Sequence, residues 1–551
     1  MNAGVRGSVI RNEGNKATMS EETPETPTVS PRASIRDYGF PLGLSLLLLI
    51  SCVVYSAKKP YWSDELLTYY LAMDRQFGHM YAALKDTFNT SPPLYHVLAW
   101  IWAGLFGGSP LALRLLTALA FCGAYWVLWG VLKRRFGRLP AALGLALTLP
   151  TSLFQPQIAE ARNYGLYLLC CSLTVGCFDR AIDNPKSDFR LPVLNFLAHA
   201  ALIATHAFGL IYSGILLAFT IVLDLSQRRF NLKLYASTLF AWLLFALLWL
   251  PTLKKQTSDF TPYSWVGLPG IRDLFWSFFL YDKRIFVVLM LLFGAVLLRW
   301  LTSRRVALTV QNPRPEKALA ILAVLFILIP GIVIYYVSHH GTSVFVGRYF
   351  MPSLIGWSIL LSYLLQLVYA RSPRTEASPE PLKPERPPLQ PLFGLLLTGV
   401  LLFALALPFR QPSVSPNEVC IDTARLPPGI PVVFNDFQDY LANCYYSNEK
   451  SRIFFMQDLE AAKNSSPGGP SYKIGNRVVG VVMAEGLKRH YPDFNIVPID
   501  LFFKANERFL VVSRPGNDWA EARLLSNPDY ICRPIQAGSD PLLLVEKQHG
   551  P

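Results

Sequence analysis

The chain has 551 residues, of which 52% are hydrophobic and only 16% are charged, and its mean hydropathy is +0.31. Soluble proteins carry about 25% charged residues, so this composition excludes an ordinary soluble protein and indicates an integral membrane protein. The net charge of +14 does not indicate nucleic-acid binding, because the basic residues form short clusters between apolar segments, of which Lys133-Arg134-Arg135 is the clearest.

Long apolar stretches follow a polar N-terminal segment. Residues 1–37 are rich in Ser, Thr, Pro and Glu, which predicts a disordered cytoplasmic tail. A helix needs roughly 20 apolar residues to cross a bilayer, and about eleven stretches come close to that length. The predicted membrane-spanning helices cover residues 38–57, 110–132, 139–154, 164–181, 191–205, 208–225, 234–253, 285–301, 318–337, 351–370 and 392–409.

A further apolar stretch, residues 94–106, is short and follows two prolines. Its role can be decided from the positive charges, because cytoplasmic connections carry an excess of Lys and Arg. If the stretch does not cross the membrane, four basic connections share the cytoplasmic side with the N-terminal tail. If it crosses, all four lie outside. These connections are residues 133–138, 228–233, 299–317 and 371–386. The stretch is therefore predicted to be a re-entrant or interfacial helix on the outer side.

The resulting order of crossings places several loops and the C-terminal region outside the cytoplasm. Residues 38–370 form the main transmembrane domain, residues 371–391 a Pro-rich cytoplasmic linker, and residues 392–409 the last membrane helix. The predicted extracytoplasmic loops are residues 58–93, 155–162, 205–206, 254–284 and 339–348.

Residues 410–551 are predicted to form a small extracytoplasmic α/β domain. Its predicted elements are strands at 432–434, 452–455, 478–482, 509–512 and 542–545 and a helix at 436–445. The predicted fold class is therefore an α-helical polytopic membrane protein with about eleven transmembrane helices and a small C-terminal α/β domain.

Acidic residues gather in the first outer loop, which contains Tyr61-Trp62-Ser63-Asp64-Glu65. One interpretation is an interfacial aromatic belt with solvated acids. The other is a general base held where the head group of a membrane-bound substrate would lie. Asp86 is a further acid in this loop, and it precedes Ser91-Pro92-Pro93-Leu94-Tyr95, where the prolines can simply begin a helix.

Two arginines lie at other predicted outer turns, in Glu160-Ala161-Arg162-Asn163-Tyr164 and in Gly347-Arg348-Tyr349-Phe350. The first motif can be a local ion pair, and the second a snorkelling arginine. Charge at a bilayer boundary is costly unless it faces a cavity or a partner, which favours a functional role. His206, at a helix end, is a weaker candidate, because a single histidine there is more often satisfied locally.

Together these residues predict an outer face with a base and an anion-binding site. Sugar transfer from a polyprenyl-phosphate donor fits such a face, because the leaving phosphate is a weak base and needs no proton from a general acid. Arginines neutralise its developing charge, and one carboxylate removes the proton of the acceptor hydroxyl. A glycosidase, by contrast, needs two carboxylates.

The order of these motifs, together with Ala112-Leu113-Arg114-Leu115, resembles the GT-C superfamily of glycosyltransferases over roughly residues 38–369. The closest likeness is to the bacterial branch of protein O-mannosyltransferases and aminoarabinose transferases. The resemblance implies a polyprenyl-phosphate-linked donor, catalysis by Asp64 with support from Glu65, and donor-phosphate contacts from Arg162 and Arg348. Supporting roles are expected for Asp86, Glu160, Tyr164, His206 and Tyr349.

The chain departs from the family pattern at one point. Many relatives carry an acid and a histidine just before the Pro-Pro-Leu-Tyr motif, where this chain has Asn89 and Ser91. Asp86 can supply the missing acid only if the local chain direction brings it to the site, so the second acid stays open.

No metal site is predicted, because His339 and His340 are adjacent and no cysteine pair has zinc spacing. Some superfamily members use a divalent metal, which stays open for this chain. The acceptor can be a lipid, a glycan or a protein. The expected location is a bacterial inner membrane. The alternatives are a transporter or flippase for lipid head groups or polysaccharides, and an assembly protein whose C-terminal domain is the functional part.

Overall fold

The computed structural model describes most of the chain, and residues Pro41–Pro551 form one compact unit. The described residues are 35–86, 90–183, 189–260, 264–302, 315–369, 389–415, 420–421, 426–464, 471–512, 524–537 and 540–548. The predicted N-terminal tail up to residue 34 and the predicted linker at 371–388 lie outside these residues. The unit Met1–Phe40 contributes the start of the first helix.

Helices make up nearly all of the described chain before residue 411. Their bounds are α1 Ile35–Lys58, α2 Ser63–Ala72, α3 Phe77–Lys85, α4 Pro93–Phe106, α5 Pro110–Phe136, α6 Arg138–Ala146, α7 Phe154–Gln157, α8 Tyr164–Asp183, α9 Arg190–Thr205, α10 Gly209–Ser226, α11 Leu232–Leu248, α12 Leu250–Phe260, α13 Ile271–Phe278, α14 Lys283–Thr302, α15 Pro315–His340, α16 Ser353–Tyr369 and α17 Leu389–Arg410.

The helices confirm an integral membrane protein. Within the described residues, six helices are long and apolar enough to cross a membrane, and the pair α11 and α12, bent by 53°, would be a seventh. Each of the eleven predicted spans overlaps a helix, but the span predicted at 139–154 is helical only as far as Ala146 and again at Phe154, and the span predicted at 234–253 is divided between α11 and α12. The number of crossings stays a prediction.

The apolar stretch that follows the two prolines forms the 14-residue helix α4. At about 1.5 Å per residue, a helix of this length reaches only about 21 Å, which is shorter than the roughly 30 Å hydrocarbon core of a bilayer. Pro93 occupies its first turn, where the missing N–H costs nothing. The length fits the predicted re-entrant or interfacial helix.

Close packing of α8 against α5 depends on a glycine. A Cβ on Gly165 would lie 2.3 Å from the carbonyl oxygen of Thr117, a distance that no side chain tolerates. The Thr117 hydroxyl donates a hydrogen bond of 2.8 Å to the carbonyl of Arg162, just before α8 begins. This contact sets the position of the loop that carries Arg162.

Ion pairs join the C-terminal ends of α5 and α8. Arg134 and Arg135 both pair with the buried Asp179, and Arg135 Nε lies 2.6 Å from its Oδ1. Near the start of α5, Arg114 contacts residues 59–65, and α8 begins directly after residues 160–163. The basic connection 133–138 and the candidate site therefore lie at opposite ends of these helices. Which end faces the cytoplasm stays a prediction.

The C-terminal region is an α/β domain, as predicted, with a six-stranded sheet in the order β3-β2-β1-β4-β6-β5. The first four strands in this order are parallel, and β6 and β5 form an antiparallel hairpin at one edge. The strands are β1 Val432–Phe434, β2 Ile453–Gln457, β3 Ile496–Pro498, β4 Arg508–Val512, β5 Tyr530–Ala537 and β6 Asp540–Lys547. The helices are α18 Phe437–Tyr446, α19 Leu459–Asn464, α20 Ser471–His490 and α21 Ile499–Ala505.

Helices cover both faces of this sheet. Phe437 of α18 and Val481 of α20 pack in one core with Phe434 of β1. Phe502 of α21 packs in a separate core with Val433, the neighbour of Phe434 in β1. Because adjacent strand residues point to opposite faces, α21 lies on the side opposite α18 and α20.

The strand predicted at 478–482 is wrong, because these residues lie within the 20-residue helix α20. The buried residues Val478, Val481, Ala484 and Leu487 recur every third position and pack in the core shared with α18. Their burial in this core outweighs the strand preference of the valines.

Candidate functional site

Asp64 lies in the first turn of α2, where it faces two guanidinium groups. Its Oδ2 is 2.9 Å from Nη1 of Arg162 and 3.2 Å from Nη2 of Arg348. The three side chains are only partly exposed, at 21%, 16% and 21% respectively. The structure therefore brings together an acid and two arginines from three separate segments of the chain.

Glu65 points away from this group into the protein. Its carboxylate accepts two hydrogen bonds from Arg114 of α5, at 2.8 and 2.7 Å, and neither side chain is exposed. It also accepts a hydrogen bond of 2.8 Å from the backbone N–H of Ala161. Glu65 thus connects the start of α2 to α5 and to the Arg162 loop, so its position is that of a supporting residue.

Arg114 completes this connection, although it was not among the predicted site residues. Its guanidinium also donates to the carbonyl oxygens of Lys59 and Pro60, at 2.7 and 3.0 Å. A lone arginine within an apolar helix was the available signal, because such a charge must find a partner. Its partner, however, could not be identified from spacing along the chain.

Aromatic rings surround the two arginines of the site. The Arg348 guanidinium lies 5.7 Å from the ring centre of Trp62 and 5.6 Å from that of Trp265, within cation–π range. Arg162 lies 5.9 Å from the ring of Tyr164. Burial acts to lower the pKa of Arg162, but the negative charge of Asp64 opposes it, and the net shift of the pKa is upward. Both guanidinium groups therefore stay charged.

Glu160 lies beside this group and pairs with Lys59 rather than with Arg162. The distance from Lys59 Nζ to Glu160 Oε1 is 3.1 Å. Burial raises the pKa of the Glu160 carboxyl, and the charge of Lys59 only partly offsets that effect. Lys59 was not among the predicted site residues.

His206 and Tyr349 form an aromatic wall next to the arginines. The His206 ring stacks on Tyr167 at 4.6 Å and lies 5.1 Å from the Tyr349 ring. Burial lowers the pKa of His206 to about 3, and the charges of Arg162 and Arg348 act in the same direction. Burial raises the pKa of Tyr349 to about 12. Both rings are therefore neutral near pH 7.

The structure gives Asp86 different partners from those of Asp64. Its carboxylate accepts two hydrogen bonds of 2.9 Å from Arg489 of α20, and His490 Nε2 lies 3.1 Å away. Lys255 approaches to 3.5 Å. Asp86 therefore joins the first loop to the C-terminal domain rather than supplying a second acid beside Asp64. Asn89 lies outside the described residues.

The ion pair between Asp64 and Arg348 borders two hollows. Asp64 lines a cleft that the C-terminal domain closes on its other side. Arg348 lines a second hollow, together with Leu153, Pro156 and Tyr281. A ligand in either hollow would therefore contact one partner of this ion pair.

No group of three or more His, Cys, Asp or Glu side chains is placed to hold a metal ion within the part of the chain that the structure describes. The charged groups that are present can bind an anion through two arginines and accept a proton on one carboxylate.

Comparison with known proteins identifies the fold. No protein-family model matches the sequence, and no curated protein matches it. Two crystal structures of ArnT from Cupriavidus metallidurans are similar in structure. The one bound to undecaprenyl phosphate shares 16% sequence identity, with a TM-score of 0.55 over 93% of this chain and 99% of ArnT. The apo structure shares 15%, with a TM-score of 0.57 over 93% and 98%. ArnT is an aminoarabinose transferase of the GT-C superfamily, and this chain has the same GT-C fold that its motifs predicted.

Proposed function

We propose that the protein is a membrane glycosyltransferase that moves a sugar from a polyprenyl-phosphate-linked donor to a hydroxyl acceptor at the extracytoplasmic face of the membrane. The main support is the contact of one partly exposed carboxylate, Asp64, with the guanidinium groups of Arg162 and Arg348. The ArnT structure of the same fold holds undecaprenyl phosphate, which fits a donor of this class.

The donor phosphate would bind Arg162 and Arg348. Arginine presents parallel N–H groups that match a phosphate, and Arg348 is already oriented by Trp62 and Trp265. Both arginines contact Asp64, so an entering phosphate would compete with this carboxylate for them. The arginines then neutralise the charge that develops on the phosphate as the sugar leaves.

Asp64 would act as the general base. The acceptor oxygen attacks C1 of the sugar and forms the new glycosidic bond, while the bond from C1 to the phosphate oxygen breaks and its electron pair stays on the phosphate. The acceptor proton passes to the Asp64 carboxylate. Because polyprenyl phosphate leaves as an anion, this step needs no second carboxylate, which agrees with the position of Asp86 away from the site.

A transfer assay on membranes tests this proposal. Membranes that contain the protein would receive a panel of polyprenyl-phosphate-linked pentoses and hexoses labelled in the sugar. We expect Asp64→Asn to abolish label transfer while protein level and membrane insertion are unchanged. Asp493→Asn, which alters an exposed carboxylate of the C-terminal domain, is the matched control and should retain wild-type transfer.

Near wild-type transfer by Asp64→Asn would remove Asp64 from the mechanism. Movement of labelled donor across the membrane without any new glycosidic bond would instead favour a transporter or flippase.

A further inference from the structure

The C-terminal sheet has a topological switch point between β1 and β4. The connections from β1 to β2 and from β2 to β3 contain α18 and α20, which lie on one face of the sheet. The connection from β3 back to β4 contains α21, which lies on the opposite face. In open parallel sheets, ligands bind in the crevice at the carboxyl ends of the strands where the winding reverses.

This edge of the sheet faces the membrane-domain site. Asn435 and Asp436 directly follow β1, and both line the cleft that also contains Ser63 and Asp64. The carboxyl end of β1, where an α/β domain normally binds its ligand, therefore lies in the same cleft as Asp64, the proposed base.

The side chains that line the cleft suit a ligand rich in hydroxyl groups. Asn435, Asp436, Gln438 and Arg477 place amide, carboxylate and guanidinium groups of the C-terminal domain in the lining, and Asp436 Oδ1 also accepts from the backbone N–H groups at the start of α18. The guanidinium and amide N–H groups donate hydrogen bonds and the amide and carboxylate oxygens accept them, and sugar hydroxyls can pair with both. Apolar side chains complete the lining, and they provide a surface for the C–H faces of a sugar ring.

Direct contacts hold the C-terminal domain over Asp64. The Tyr61 backbone N–H donates to the Tyr446 hydroxyl at 2.5 Å, and the Tyr69 ring lies 4.9 Å from that of Tyr445. The paired charges of Asp86 and Arg489 form a second connection. The cleft is therefore preformed, with its two sides joined by hydrogen bonds, ring contacts and an ion pair.

We propose that the C-terminal domain binds the sugar portion of the acceptor in this cleft and presents one of its hydroxyl groups to Asp64. The acceptor would then be a glycan, carried either on a lipid or in a polysaccharide, rather than a polypeptide. This assignment rests on the proposed glycosyltransferase function. It gives the C-terminal domain a part in acceptor recognition and leaves donor binding to Arg162 and Arg348.

Two substitutions in the cleft test the assignment in the full-length protein. Gln438→Ala removes an exposed side chain, while its backbone N–H keeps its 2.8 Å bond to Asp436. Loss of one neutral hydrogen bond, about 0.5–1.5 kcal/mol, corresponds to an approximately two- to tenfold lower kcat/KM for the acceptor. Val479→Trp would fill the cleft, and we expect it to reduce transfer more than tenfold.

Matched controls place the same changes outside the cleft. Asn448→Ala removes an exposed amide from the turn after α18. Leu501→Trp introduces the same bulk on α21, where Leu501 is 57% exposed on the opposite side of the sheet. We expect both controls to transfer sugar at the wild-type rate. Binding of undecaprenyl phosphate, measured separately, should be the same in all four variants and the wild type.

The outcomes distinguish this inference from the proposed function. Transfer that falls in both cleft variants with unchanged undecaprenyl phosphate binding supports the inference, and solvent extraction of the labelled product then separates a glycolipid from a polysaccharide. Wild-type acceptor kinetics in both cleft variants, or label on a polypeptide, would overturn it. A wild-type protein that binds undecaprenyl phosphate but transfers no sugar would contradict the proposed function itself.

Discussion

Asp64 and Glu65 are neighbours in sequence but lie in opposite environments. Successive residues of a helix point about 100° apart, so one carboxylate faces the cleft and the other enters the protein toward α5. Asp64 meets two partly exposed arginines, whereas Glu65 meets the fully buried Arg114. The carboxylate of Asp64 is therefore placed for the proposed reaction, and the carboxylate of Glu65 stabilises the packing of α2 against α5.

Glu65→Gln should destabilise the protein strongly, because it leaves the Arg114 guanidinium buried without a counter-charge. Breaking a buried ion pair from one side typically costs about 3–5 kcal/mol. Thermal unfolding in detergent should therefore show a larger drop in Tm for Glu65→Gln than for Asp64→Asn, because Arg162 and Arg348 are partly exposed and Arg114 is not. Equal Tm values for the two variants would contradict the structural role of Glu65.

His206 should affect how stability depends on pH. Its pKa is about 3 in the folded protein, against an ordinary value of 6.5, because burial disfavours the charged form. The unfolded chain therefore takes up a proton at this residue as the pH falls through 6.5, while the folded protein does so only near 3. His206 thus lowers stability as the pH falls across this window.

The measurement compares Tm between pH 7.5 and pH 5 for the wild type and for His206→Phe. We expect the acid-induced decrease in Tm to be smaller in the variant, whatever its Tm at pH 7.5. An identical decrease in both proteins would show that His206 is not held neutral.

At the scale of elements, apolar composition predicted the helices well, because a chain in lipid must satisfy its backbone hydrogen bonds within the helix. Strands β1, β2, β4 and β6 coincide with predicted apolar or β-branched runs. Two strands were not predicted: β3, which has only three residues, and β5, which mixes polar and apolar residues. The strand predicted at 478–482 lies within α20, because tertiary burial outweighs local strand preference there.

The site was predictable only in part, because the contacts within it form between segments that are far apart in sequence. Asp64, Arg162 and Arg348 were candidates because charges at the ends of apolar helices are costly. Their mutual contact, and the roles of Arg114 and Trp265, depend on packing between helices far apart in sequence. The contact of Asp86 with Arg489 likewise joins two residues that are 403 positions apart in the chain.

The contact between α5 and α8 gives a prediction at this scale. Gly165→Ala would force the helices apart, because the added Cβ would lie 2.3 Å from a backbone oxygen of α5. Overpacking of this kind costs about 1–3 kcal/mol, and it should also displace Arg162 and slow sugar transfer. The matched control on the same helix is Gly176→Ala, whose added Cβ would meet its nearest atom at 3.5 Å.

We expect a lower Tm and slower transfer for Gly165→Ala and near wild-type values for Gly176→Ala. Similar behaviour of the two variants would mean that the close approach of α8 to α5 does not hold the Arg162 loop.

At the scale of the whole molecule, the proposed function requires the site to lie on the extracytoplasmic side of the membrane. The positive-inside distribution predicts that the site and the C-terminal domain are extracytoplasmic. A tag after Pro551 should therefore react with membrane-impermeant reagents in intact cells, and a tag at Arg374 should react only after the cells are opened. The reverse pattern would place the site on the cytoplasmic side.

The central claim is that a donor phosphate and the Asp64 carboxylate compete for the same two arginines. The most direct test is the affinity of the purified protein for undecaprenyl phosphate. We expect Arg162→Ala and Arg348→Ala each to weaken binding by about 1.5–3 kcal/mol, or roughly 10- to 150-fold. Asp64→Asn, which removes the competing charge, should bind at least as tightly as the wild type. Unchanged binding in both arginine variants, or weaker binding in Asp64→Asn, would contradict the account.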